Sequence, residues 1–219
     1  MHIEQTTIHG EDFIGLFGFA TDRYAILSRN FGKISVLDVP IIRTDIYGTN
    51  LIGMFCAGNS NGLLLPYFVS DRKIEEIRKE LGESGINIEI GKILEKYTAI
   101  GNLICCNDNS AIISPKLSSM KIVEDILDVE IIQREISKHE EVGSCCVVTN
   151  KGFLIHPDGE KELDEISEIF RVKGDVGSVN FGFPFVRSGI IANSNGYITG
   201  SRTTGIEIGR IDKALGFLD

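Results

Sequence analysis

One order of apolar and polar positions recurs along this chain. An apolar run is followed by a short polar turn that closes on glycine, and a second apolar run then ends in proline or another polar stretch. The order is plainest from Gly143 to Pro157, where Cys145-Cys146-Val147-Val148 precedes Thr149-Asn150-Lys151-Gly152 and Phe153-Leu154-Ile155 follows. It returns at Gly53 to Pro66, at Gly101 to Pro115 and at Arg187 to Gly200, and a fainter copy starts at Ile14-Gly15. In all five copies the opening position and the turn position are nine residues apart: 15 and 24, 53 and 62, 101 and 110, 143 and 152, 187 and 196. Arg187 stands in place of an opening glycine, and Tyr24 and Ser110 in place of turn glycines.

Each nine-residue block predicts a strand that ends in a hairpin, with Asn61-Gly62, Asn195-Gly196 and Asn150-Lys151-Gly152 supplying positive φ angles at the turn. The first strands, Leu103-Ile104-Cys105-Cys106 and Cys145-Cys146-Val147-Val148, do not alternate, so both of their faces are expected to be buried. Beyond the second strand the period changes to that of a helix. Ser70 can cap a helix with Ile74, Ile77 and Leu81 on one face and Gly82 at its end. Ser119 precedes Val123, Ile126 and Leu127, and the fourth copy offers Leu163, Ile166, Ile169 and Phe170. In the last copy Thr204 and Glu207 have capping-box spacing ahead of Ile208, Ile211 and Leu215. The first copy places its helix near Phe31, Ile34 and Leu37, with Gly32 weakening it. Short strands at 86–90 and 129–132 lead back to the next copy.

A hairpin with one amphipathic helix cannot bury its apolar face alone, so the units must pack on one another. Neither end of the chain carries a polar capping repeat of the kind an open solenoid needs, which points to closure. The expected fold is an α/β propeller of five ββα(β) repeats closed about a pseudo-fivefold axis. It is one domain over 1–219, with repeats at about 1–46, 47–94, 95–136, 137–180 and 181–219.

Composition narrows the chemistry. A hydrophobic share of 42% suffices for a substantial core and argues against disorder. The formal charge of −9, from 31 acidic and 22 basic residues, weighs against wrapping nucleic acid by phosphate neutralisation and suits a basic partner. No apolar run approaches the roughly eighteen residues of a membrane span, and the N-terminus lacks the pattern of a signal peptide, so a cytoplasmic protein is expected. Four of the five cysteines form the neighbouring pairs Cys105-Cys106 and Cys145-Cys146, whose side chains point to opposite faces of a strand; they read as buried free thiols. His2, His9, His139 and His156 are scattered without metal-ligand spacing and no CxxC pair is present, so no metal is expected. Gly15-Leu16-Phe17-Gly18 lacks the third glycine of a dinucleotide fingerprint and no phosphate loop occurs, so no cofactor is expected either.

Several segments together resemble the archaeal initiation factor six family. They are 38–50 (Asp-Val-Pro-Ile-Ile-Arg-Thr-Asp-Ile-Tyr-Gly-Thr-Asn), 58–66, Gly101-Asn102-Leu103 with Cys106-Asn107-Asp108, 174–180, and Thr203-Thr204-Gly205 with Glu207. They run in one collinear order over essentially the whole chain. The resemblance implies the five-unit ring known as a pentein and a non-catalytic role as a ribosome anti-association factor. It implies docking on the intersubunit face of the large ribosomal subunit, chiefly on a basic ribosomal protein beside the sarcin-ricin loop, with limited contact to ribosomal RNA. A monomer that keeps the small subunit away, with large-subunit maturation as a second setting, follows from the same resemblance.

Polar residues at the turns and strand entrances, Asn50, Asn59, Asn107, Asp108 and Asn193, can either serve turn geometry or form a contact surface. The resemblance puts Asn50 and Asn107 on the ribosome-facing side, and neighbouring copies of the ring are expected to present both on one face. The candidate ribosome-binding set is Asn50, Asn107, Asp108, Thr203 and Thr204, although Glu207 also fits Thr204 for a helix cap. Met54 departs from the basic residue of eukaryotic relatives. Pentein rings also carry guanidine-modifying enzymes with a cysteine nucleophile near the chain end. Here the last cysteine is Cys146 and no histidine follows His156, which leaves that alternative without its nucleophile. A ring-shaped scaffold for a non-ribosomal partner is the other alternative.

Overall fold

A computed structural model describes residues 2–218 of the chain. After β1 (Ile3–Thr6) the chain builds five hairpins one after another, the first four each followed by a third strand parallel to the second. The first sheet holds β2 (Gly18–Ala20), β3 (Ala25–Ser28) and β4 (Ile41–Thr44). The second holds β5 (Ala57–Gly58), β6 (Gly62–Pro66) and β7 (Glu89–Ile93). The third and fourth hold β8 (Ile104–Cys106), β9 (Ser110–Ile113), β10 (Glu130–Gln133) and β11 (Cys146–Val148), β12 (Phe153–Ile155), β13 (Gly174–Val176). A parallel partner requires a crossover, and in units two to four a helix supplies it. In the fifth sheet β14 (Ile190–Ala192) and β15 (Tyr197–Gly200) take their third strand from the other end of the chain: β1 pairs parallel to β15, Ile3 opposite Tyr197. Residues 3–6, assigned from the sequence to the first repeat, therefore complete the last one.

The uninterrupted apolar runs have a geometric cause. Along each middle strand, alternate side chains enter two different cores, and every core is shared by two neighbouring units. Leu63 and Leu65 pack with Tyr24 and Ile26 of the first unit, while Leu64 between them packs with Ile104 and Leu127 of the third. Ile112, Leu154, Ile198 and Ile26 occupy the equivalent place in their strands. There is thus no solvent face to encode.

The opening positions lie in single helical turns, Ile14–Phe17, Ile52–Phe55, Ile100–Leu103, Val142–Cys145 and Val186–Gly189, rather than in the strands expected there. Each of these turns touches the ones on either side, closing a ring. The contact is between backbones. A methyl group on Gly53 would overlap the carbonyl oxygen of Gly15, one on Gly101 that of Gly53, one on Gly143 that of Gly101, and one on Gly15 that of Arg187.

The turn glycines also act by close approach rather than by positive φ, since none of Gly62, Gly152 or Gly196 has a left-handed backbone. A methyl on Gly62 would meet the Ile126 carbonyl, one on Gly152 that of Ala214, and one on Gly196 that of Val36. Where the turn glycine is replaced, a hydroxyl reaches across instead: Tyr24 donates to the Gly62 carbonyl at 3.0 Å and Ser110 to that of Ile169 at 2.7 Å.

The helices of the later units follow the pattern of their sequences. Asp71–Glu83 is capped by Ser70, whose Oγ accepts from the Lys73 amide, and buries Ile74, Ile77 and Leu81. It runs through Gly82 to Glu83, and Gly85 at φ +75° turns the chain away. Met120–Leu127 and Leu163–Phe170 bury Val123, Leu127, Ile166 and Phe170, and Gly205–Ala214 begins with the full Thr204–Glu207 capping box. The first unit's crossover has no helix. Phe31, Ile34 and Leu37 are buried as expected, but Gly32, β-branched Ile34 and Val36, and Pro40 leave an irregular crossover that places them without one. Because ring contact at the axis is backbone on backbone, Gly101→Ala should cost about 3 kcal/mol or more, at or beyond the usual overpacking range, whereas Gly32→Ala, with open space around it, should be nearly neutral. Urea denaturation of the two variants checks the contrast.

Candidate functional site

The five hairpin turns meet at one end of the axis and the five opening turns at the other, so the ring has two dissimilar ends. At the hairpin end Thr21, Asn59, Asn107, Thr149 and Asn193 hold equivalent places, and each accepts backbone N–H groups of its own turn. The three asparagines do more. Asn59 donates to the carbonyls of Asn107 (3.2 Å) and Leu127 (2.9 Å), Asn107 to those of Thr149 (3.3 Å) and Phe170 (3.0 Å), and Asn193 to those of Thr21 (3.0 Å) and Leu37 (2.8 Å). Each amide thereby staples its turn to the next unit's turn and to the end of that unit's crossover.

One residue further on, Asp22, Ser60, Asp108, Asn150 and Ser194 converge on the axis. Ser60 donates its amide and hydroxyl to Asp108 at 2.8 and 2.7 Å, and Ser194 does the same to Asp22 at 2.7 Å each. Asn150 bridges the two carboxylates at 2.6 and 2.7 Å and accepts from the Asp108 amide. The arrangement is a polar plug with two half-buried carboxylates at its centre.

At the opening end the axis widens into a bowl of about 430 Å³. Phe13, Leu16, Phe183 and Phe185 form its apolar side, Asn102, Glu141 and Ser144 its polar side, and Gly15, Gly53 and Arg187 its floor. Tight lead-in hairpins surround it, with left-handed residues at their tips: His9, Tyr47, Ser137, Lys138, Asn180 and Phe181. Tyr47 is 80% exposed and Phe181 77%. Glu207 pins the Phe181 hairpin, accepting from the amides of Phe181 and Gly182 and from the Ser178 hydroxyl as well as from Thr204. Burial pushes this carboxyl up, but those hydrogen bonds outweigh it and hold it below the ordinary range.

The candidate residues fall at both ends. Asn107 and Asp108 belong to the hairpin end, while Asn50, just before the Ile52–Phe55 turn, lies at the opening end with Thr203 and Thr204. Asn50 and Asn107 therefore do not share a face, because the length of a strand separates opening from turn in every unit. Asn107 is buried, with both its donor and acceptor groups engaged inside the ring. Thr203 is buried too, bonded to Thr199 and Asn180, and Thr204 caps its helix. Asn50 and Asp108 are half-buried. The lead-in hairpins were not anticipated, yet a signal exists: His9-Gly10, Tyr47-Gly48 and Phe181-Gly182 each start six residues before an opening position.

The thiols face packing, not reaction. Burial pushes Cys56, Cys106 and Cys145 up to about 12, the opposite of what a nucleophilic thiolate needs. All five cysteines are free.

Similarity to known proteins agrees with this architecture. The model of the eIF-6 family matches residues 3–214. The chain is similar to Translation initiation factor 6 of Thermococcus onnurineus, at 42% identity with 100% of both chains covered. It is also similar to those of Saccharolobus islandicus (38%, 99% of this chain and 100% of the other) and Haloquadratum walsbyi (34%, 96% and 95%). Among solved structures, DDAH from Pseudomonas aeruginosa in complex with citrulline superposes with a TM-score of 0.50 at 15% identity, over 75% of this chain and 68% of that one. This likeness concerns the fold, a pentein-type α/β propeller. If Asn107 is an inter-unit staple, Asn107→Ser should lower stability by about 1–3 kcal/mol, the cost of leaving buried carbonyls unpaired, and Asn195→Ser at the exposed tip should lower it less. Thermal melting of both variants measures the difference.

Proposed function

The chain belongs to the eIF-6 family of translation factors, and on that premise we propose that it binds the large ribosomal subunit on its intersubunit face and sterically excludes the small subunit. The observation that carries this reading is the full-length similarity to factors named Translation initiation factor 6. No bond is made or broken; the factor acts by occupancy, and its effect follows from how much more tightly it holds one subunit than the other. Cytoplasmic action as a monomer, in subunit maturation as well as initiation, belongs to the same proposal. No helix among the described residues is long and apolar enough to cross a membrane.

For the docking surface we assign the hairpin end. Its side chains are fixed by hydrogen bonds before any partner arrives, so little conformational freedom remains to be lost on binding. Its centre presents the carboxylates of Asp22 and Asp108 and its tips carry Arg23, Asn109, Lys151 and Asn195, a polar surface that suits a basic ribosomal protein better than bare RNA. Asn107 then acts as the support that positions Asp108, and Asn50, Thr203 and Thr204 lie on the side turned away. The guanidine-modifying alternative gains nothing from the fold, since the fifth unit has no thiol and the thiols present are buried or half-buried in the walls.

Sedimentation with separated subunits tests the proposal: the protein should pellet with the large subunit and leave the small one free. Asp108→Asn removes the charge and turns one of the two accepting oxygens into a donor, so it should lower the melting temperature by a few degrees and weaken large-subunit binding by the folded protein about three- to tenfold. Asn50→Arg should leave binding intact. Sedimentation with neither subunit would sink the reading, and loss of binding in Asn50→Arg alone would move the docking surface to the opening end.

A further inference from the structure

The two ends of the ring differ most in where apolar side chains reach solvent. Of the eight large hydrophobic side chains exposed among the described residues, all but Leu218 lie at the opening end, in lead-in hairpins or beyond strands that run there from their turns. Such clustering marks an interaction surface, whereas scattered apolar residues need no explanation. Tyr47 and Phe181 are moreover held in left-handed backbone, at φ +53° and +67°, where bulky residues are rare. Asp45 accepts from the Gly48 amide at 3.2 Å and Glu207 from those of Phe181 and Gly182, so both tips are fixed before any partner arrives. Beside Phe181, Phe13 and Phe183 meet edge to face at 4.7 Å, and Phe185 continues the wall of the bowl.

The fourth unit borders this wall, with the rings of His139 and His156 centred 5.2 and 5.3 Å from that of Phe185. Its two stretches at the opening end, 134–141 and 156–165, hold eight carboxylates and three cations, Arg134, Lys138 and Lys161. Arg134 is shared by Glu162 and Glu165, and Lys116 of the third unit by Glu140 and Glu141, so each of these cations leaves one carboxylate in excess. Glu135 and Glu160 are exposed and make no ion pair among the described residues. Such a sector repels nucleic acid and anionic lipid alike, which leaves a basic protein as its complement. Arg187, half-buried in the floor, keeps a cation out of the bowl itself. The bowl, at about 430 Å³ and with phenyl rings along one side, suits an apolar anchor.

We propose that the opening end is a second docking surface, which takes a basic amphipathic segment of a partner protein. An aromatic or aliphatic side chain of that segment fills the bowl against Phe13, Phe183 and Phe185, and Phe181 extends the contact beyond the rim. Lysines or arginines beside the anchor lie along the carboxylates of the fourth unit, where Glu135 and Glu160 are free to receive them. The hairpin end stays open during this contact, so the chain joins the partner to the large subunit; only this last point rests on the ribosomal reading above.

The probe is a labelled amphipathic peptide of lysine, leucine and phenylalanine, followed by fluorescence anisotropy with the free protein. It should bind saturably, and the same peptide with glutamate for lysine should bind at least about tenfold more weakly. Phe181→Asn, which suits the left-handed backbone, should weaken binding about fivefold. Glu135→Lys combined with Glu160→Lys should weaken it about tenfold, while Glu80→Lys combined with Glu83→Lys, the same change of charge on the helix Asp71–Glu83, should not. In NMR spectra of the unmodified chain the peptide should shift the amides of 9–16, 135–144 and 181–188. Absence of binding, shifts spread over the whole acidic surface, or equal weakening by both charge pairs would overturn the proposal. Phe181→Asn should still pellet with the large subunit, and loss of that binding would overturn it too, since the opening end would then be the ribosomal face. Failure of the ribosomal reading looks different: the unmodified protein would sediment with neither subunit while peptide binding persisted.

Discussion

Everything in this ring depends on how closely five backbones approach one axis. Carbonyl oxygens of Gly15, Gly53 and Gly101 lie where the next unit's Cβ would otherwise be, so the radius of the ring is set by main chain against main chain. That distance cannot be relaxed by choosing another rotamer, as it can where side chains meet. It fixes the tilt of the short turns at 14–17, 52–55, 100–103, 142–145 and 186–189, and through them the direction in which each hairpin leaves the axis. The fifth unit, with Arg187, keeps its carbonyl in the ring, and its side chain lines the floor of the bowl.

From that geometry follows the sharing of cores. Neighbouring units lie so close that a middle strand such as Leu63-Leu64-Leu65 has a unit on each side, and its residues divide between two clusters. No unit has a core of its own to retain if its neighbour opens, which makes the ring cooperative. The asparagine staples of Asn59, Asn107 and Asn193 reinforce the same seams from the polar side, where a buried carbonyl would otherwise go unpaired.

Much of this was legible beforehand, because a repeat multiplies weak signals. The nine-residue offset, the helices after Ser70 and at Thr204–Glu207, and the two-sided burial are all local patterns that hold in the fold. What could not be read was anything set by a neighbour distant in sequence. Glycine at 62, 152 and 196 suggests positive φ when a hairpin is considered alone, yet the reason for it is a carbonyl of the next unit. The helix expected at Phe31, Ile34 and Leu37 shared its burial pattern with the true helices, and burial alone does not dictate the backbone that achieves it. The candidate residues were legible as polar turn and cap positions, but not by their place in the ring. Asn50 stands three residues before an opening position and Asn107 six residues after one, and it is the strand between opening and turn that carries them to opposite ends.

The pairing of β1 with β15 bears on how such a chain can come into being. Residues 3–6 are made well before their partners at 197–200, so the strand that closes the ring waits unpaired while the units between them are synthesised. Contacts of such long sequence separation are slow to form, and an exposed strand edge is available meanwhile to wrong partners. The charged and polar residues around it, His2, Glu4 and Gln5, are of the kind that keep a waiting edge from pairing prematurely. Because β1 lies beside β15, a chain linked covalently between them and opened instead at an exposed lead-in hairpin such as Tyr47-Gly48 would keep every strand partner and trade a late closure for an early one.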